Sequence, residues 1–132
     1  MNKKEVDNFE KYQTQLEGLL SEIGVLAKKS PNDGVNKFKL IFINEVIQEA
    51  NTILGDKYKP FDSFNEFDED ELPSNSDVTF IMSQYLNCFE KLRADNIYAD
   101  QKFEGNRYVY NWFWRIDGKK SDIKTAQPKK IK

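Results

Sequence analysis

Near Asn96 the spacing of apolar residues changes from a helical period of about 3.6 to a strand period of 2, and no single element accommodates both. The chain is therefore expected to be α+β: a bundle-like layer of three helices, then a small C-terminal antiparallel β-hairpin or meander. Before the switch, Phe9, Tyr12, Leu16, Leu19, Leu20, Ile23, Leu26 and Ala27 recur three or four residues apart, which predicts a helix over about 4–29. Gly18 and Gly24 interrupt it and imply a close helix contact or fraying there. The cluster Ser30-Pro31-Asn32-Asp33-Gly34 ends it, with Pro31 unable to continue the ladder and Gly34 free to take a positive φ.

A second helix is expected over about 35–54, where Leu40, Ile43, Val46, Ile47, Ala50, Ile53 and Leu54 cover nearly half the cylinder and Gly55 suits a left-handed C-terminal residue. As the most apolar of the three it is expected at the centre, pairing with the first as a helical hairpin. A third helix over about 76–96 carries Val78, Ile81, Met82, Tyr85, Cys88, Phe89 and Leu92 on one stripe, capped by Asn75 or Ser76 with Asp77 at its positive end. The predicted core is Leu16, Ile43, Ile47, Ile81, Tyr85 and Phe89.

Between the second and third helices, Tyr58, Phe61, Phe64, Phe67 and Leu72 are interleaved with carboxylates. The spacing of three suits a helix or 3₁₀ turn, Lys59-Pro60 and the polar residues suit an irregular loop equally, and the aromatics are expected to pin the segment onto the bundle. The run Asp68, Glu69, Asp70, Glu71 reads as a solvated acidic face, open to a basic partner or a cation, although it lacks the spacing and glycine of a calcium loop.

Beyond Asn96 a β segment is expected over about 97–126, with Glu104-Gly105-Asn106 and Asp117-Gly118 as its turns and Ile123 anchoring a third strand. The basic tail 127–132 is expected to be loose. On a strand over 107–116, Tyr108, Tyr110, Trp112, Trp114 and Ile116 share one face, and Arg107, Val109, Asn111, Phe113 and Arg115 the other. Three amphipathic helices need a cover, so the aromatic face is expected to be that cover. The candidate partner-binding residues are then Arg107, Asn111, Phe113, Arg115, Lys119, Lys120 and Lys124, with the face of Tyr108, Tyr110, Trp112 and Trp114 as the alternative site.

Composition bounds the chemistry. A chain of 132 residues and 15.5 kDa fits one domain, 1–132, and 14% aromatic content argues for a packed interior. There is no histidine and Cys88 is the only cysteine, so the usual zinc ligands and the usual base for a nucleophilic serine or cysteine are lacking. No cofactor and no metal site are expected, and carboxylates such as Glu66 and Asp68 have no diagnostic catalytic spacing. A lone cysteine and a charged N-terminus suggest the cytoplasm. The longest apolar run is the four residues Leu40 to Ile43, far short of the roughly 20 that a membrane span needs.

Net charge is -2, but six lysines against one aspartate after Asp117 leave +5 there and -7 on the remainder. These features fit a small, non-enzymatic protein-interaction or regulatory module with a protein partner. Single-stranded nucleic-acid binding by the C-terminal aromatic and basic residues is the alternative, opposed by the acidic body. A homodimer formed through an uncovered strand edge is a further expectation.

Overall fold

The computed structural model describes residues 1–129, in the order α1 (Lys3–Lys29), α2 (Lys37–Tyr58), α3 (Asn75–Asp95), β1 (Ile97–Glu104), β2 (Arg107–Ile116) and β3 (Lys119–Thr125). The chain is thus α+β, three helices followed by a three-stranded antiparallel meander. Each helix begins on a side chain that accepts a free backbone N–H. Asn2 and Glu5 form a reciprocal box on α1, Asn36 caps α2, and Ser74 Oγ accepts from Asp77 N at 3.1 Å. Ser74, not Asn75 or Ser76, is therefore the cap of α3, and Asn75 is instead a buried residue whose amide donates to the Ser30 carbonyl.

α1 runs antiparallel to both other helices. Its Glu22 meets Lys39 of α2 at 2.8 Å, while Phe9 and Gln13 meet Phe89 and Glu90 of α3. The Tyr85 hydroxyl donates to Asn51 Oδ1 at 2.6 Å, and near the other ends the Tyr58 hydroxyl donates to Asp95 Oδ2 at 2.6 Å, so α2 and α3 run parallel. That bond to a carboxylate pushes the Tyr58 hydroxyl up to about 12 and holds Asp95 below the usual carboxylate range.

α2 is not the centre of the bundle, because the main helix contact is between α1 and α3. Its apolar surface exceeds what two neighbours cover, and Phe38, Ile41 and Phe42 remain exposed. Leu16, Ile43, Ile47, Tyr85 and Phe89 are buried as expected, whereas Ile81 is only half-buried.

Two of the glycine expectations change. Gly34 does not adopt a positive φ; a Cβ there would meet the Leu72 carbonyl oxygen at 3.0 Å, where the α1–α2 turn bridges to Ser74. At Gly18 and Gly24 a Cβ would meet nothing within 4 Å, so neither marks a close helix contact. Gly18→Ala and Gly24→Ala are each expected to stabilise the protein by about 1 kcal/mol, read as a higher midpoint in urea with unchanged slope. Gly55, at φ 64°, interrupts α2 as a left-handed residue, but one further turn follows to Tyr58.

The loop between α2 and α3 is held as its aromatics suggest. Buried Asn44 pairs with the Phe67 backbone through two bonds of 2.9 Å, and Phe64 packs on both Phe67 and Tyr85.

The sheet covers one end of the bundle, where α1 begins and α3 ends. Both of its turns have two positive-φ residues, Gly105-Asn106 and Asp117-Gly118, which match the twist of the strands they join. β1 and β2 pair continuously from Ile97↔Trp114 to Glu104↔Arg107, while the register of β2 with β3 shifts between Phe113 and Arg115. Lys129 is tied down, its backbone N–H donating to Glu90 at 3.2 Å and its ammonium lying 3.6 Å from Glu17; residues 130–132 of the expected tail lie outside the described residues.

Candidate functional site

The aromatic stripe of β2 is divided between two environments. At its bundle end Trp114 is fully buried, edge-on to Phe9 with centroids 5.1 Å apart, and Phe9 in turn stacks on Phe89 at 4.9 Å. The Trp114 indole N–H donates to Glu10 Oε1 at 2.8 Å, an oxygen that also accepts from Thr125 of β3. Trp112 and Ile116 are half-buried against the core.

Two residues further out the cover ends. Tyr110 and Tyr108 are 58% and 65% exposed, and Phe103, which pairs with Tyr108 across the hairpin, is 64% exposed. The Phe103 and Tyr108 rings meet edge-to-face at 5.3 Å. The expected cover is therefore real at Trp114 and absent at Tyr108 and Tyr110. From Ala99 to the turn, β1 is exposed at every residue.

The opposite face is less open than its sequence implies. Tyr98 lies at its centre, stacked on Phe113 at 5.6 Å, with the Arg115 guanidinium and the Lys120 ammonium each 5.3 Å from its ring. Its hydroxyl donates to the Ser121 carbonyl. Arg115, Phe113 and Lys120 thus have partners within the sheet, and Asn111 is half-buried. Arg107, Lys119 and Lys124 are exposed, Arg107 beside the outer turn and the two lysines on β3.

The acidic run folds into its own turn, with Asp68 accepting from the Asp70 backbone at 2.9 Å and Asp70 lying 3.4 Å from Lys37. Among the described residues no three carboxylate or thiol groups converge as metal ligands. Cys88 is half-buried on α3, and burial pushes its thiol up, away from the reactive thiolate form. No described helix is long and apolar enough to cross a membrane.

Sequence reasoning did not find the buried polar cluster behind the sheet. Arg93 and Glu90 are 3% and 7% exposed and form an ion pair at 3.1 Å; Gln13 donates to Glu90 at 2.6 Å and accepts from Arg93. Glu10 lies 3.8 Å from Arg93, whose guanidinium also covers the Phe9 ring at 5.4 Å. The signal was present in the spacing, since Gln13 falls four residues after Phe9 and three before Leu16, on the apolar stripe itself. This cluster fixes the sheet to α1 and α3, and so aims the hairpin.

The fold and its exposed surface define a small α+β domain that presents an exposed aromatic hairpin. No protein-family model matches the chain, and no curated protein or solved structure compared with it does so.

Proposed function

We infer that this chain is a non-enzymatic protein-interaction module of the cytoplasm that receives a partner protein on the outer half of its β1–β2 hairpin. The observation that carries this reading is the contiguous exposure of Phe103, Tyr108 and Tyr110 on one face of a hairpin whose inner end is locked by buried Trp114. Aromatic side chains lose little conformational freedom on binding and dominate interface hot spots, and a hairpin anchored in the core presents them preorganised. Arg107, exposed at the outer turn, lies on the opposite face of the hairpin and is not part of this aromatic surface.

Single-stranded nucleic acid is less well supported by the same face. Lys102 and Arg107 project from the opposite side of the hairpin, and the acidic Asp100 and Glu104 accompany them there.

The test is capture from native extract with wild type and with Y108A/Y110A, followed by titration of the purified captured protein. The double variant is expected to unfold at the wild-type temperature and to bind its partner about 100-fold more weakly, as loss of two hot-spot aromatics implies. Unchanged affinity removes the reading. Salt-sensitive binding of a mixed oligonucleotide by wild type, lost in the double variant, replaces it with the nucleic-acid alternative.

A further inference from the structure

The outer edge of the same hairpin has a property separate from its aromatic face. Among the described residues β1 is an edge strand, paired only with β2. The Arg115 N–H donates to the Asn96 carbonyl at 2.8 Å, and this fixes the phase of the ladder. Residues 98, 100, 102 and 104 turn their backbone groups toward β2, so Ala99, Gln101 and Phe103 turn theirs outward. The edge has an uninterrupted register with β2 and is exposed and free of proline over 99–104. The opposite edge, β3, is protected in the ways natural sheets use: its ladder shifts register, it carries Lys119, Lys120 and Lys124, and Thr125 is tied to Glu10.

We propose that β1 pairs antiparallel with β1 of a second copy of this chain, about a two-fold axis through Gln101, making a continuous six-stranded sheet. The side chains single out this register. It places Asp100 opposite Lys102 of the second copy, twice by symmetry, at a non-hydrogen-bonded pair where side chains approach most closely. Neither residue has an ion-pair partner within its own chain among the described residues. Centring the axis on Asp100 or on Lys102 opposes like charges. Centring it on Ala99 or Phe103 shortens the ladder. On the aromatic face the chosen register sets Phe103 over Ala99 of the second copy and covers part of an exposed ring. An isologous contact of this kind needs one self-complementary strip, and the sequence Asp100-Gln101-Lys102 is one.

Sedimentation equilibrium of the full chain over a roughly hundredfold concentration range tests the pairing. The expected mass rises to twice 15.5 kDa. Gln101→Pro removes the central outward N–H and leaves the β1–β2 ladder intact; it is expected to give a folded monomer. Asp100→Lys alone and Lys102→Asp alone are each expected to weaken dimerisation by about tenfold or more, because like charges then face each other. An equimolar mixture of these two variants is expected to form a heterodimer as tight as the wild-type dimer, and D100K/K102D to recover self-association.

Monomer at every concentration overturns the proposal, as does a dimer unaffected by the charge variants. These exposed charge substitutions keep the test decisive even where Gln101→Pro disturbs the fold. The outcome is independent of partner capture, since Y108A/Y110A leaves the outward backbone groups and both charges in place.

Discussion

Trp114→Ala is expected to lower the free energy of unfolding by about 3–5 kcal/mol, a large part of the 5–15 kcal/mol typical of a domain. Trp114 is the largest fully buried side chain and the point where the sheet enters the helical core. Its removal leaves a cavity beside Phe9 and takes from Glu10 the indole donor at 2.8 Å. Urea titration followed by far-ultraviolet circular dichroism measures the loss. Tyr110→Ala, four residues away on the same face, is expected to change stability by less than about 0.5 kcal/mol, since its ring already lies in solvent. Equal effects at the two positions refute the division of the stripe into core and free halves.

Arg93→Met is expected to cost about 3–5 kcal/mol, because it leaves the Glu90 carboxylate 7% exposed with no cation beside it. The loss extends beyond α3, as Arg93 also bonds Gln13 and approaches Glu10 on α1. The paired substitution E90M/R93M is expected to recover much of the deficit, since removing both charges leaves no buried ion unmatched and apolar groups of similar size can fill the site. Thermal denaturation of wild type, R93M, E90M and E90M/R93M measures the coupling. A single variant as stable as wild type is inconsistent with a desolvated pair.

These two sites also show what could be read in advance. The three helices, the meander and both tight turns follow from local pattern, because apolar period and Gly-Asn or Asp-Gly chemistry act over a few residues. Cap positions were less legible. Asn75, Ser76 and Ser74 all have side chains able to cap, and Ser74 takes the role only because Asn75 is drawn inward to the Ser30 carbonyl. The central placement of α2 failed for a similar reason. Its apolar stripe set the area available for burial, but the larger contact is between α1 and α3, and Phe38 and Phe42 are left edge-to-face in solvent, 5.1 Å apart.

The candidate site was legible as chemistry and not as exposure. Alternation along 107–116 assigned every side chain to the correct face, since strand period is a local property. It could not reveal that Tyr98, from the neighbouring strand, engages Arg115 and Lys120 and makes that face the more self-contained one. The Glu90–Arg93 pair was hidden because acidic and basic residues three apart on a helix are ordinarily a surface pattern.

By itself the sequence determined the element types, their order, the two hairpin turns and the two faces of β2. Only the tertiary structure decided that Trp114 is core and Tyr108 is not. Ten residues of strand at about 3.3 Å each reach roughly 33 Å, while helices packed 8–10 Å apart offer an end narrower than that. The aromatic stripe is longer than the surface it covers, so its outer half, with the edge of β1 beside it, remains exposed.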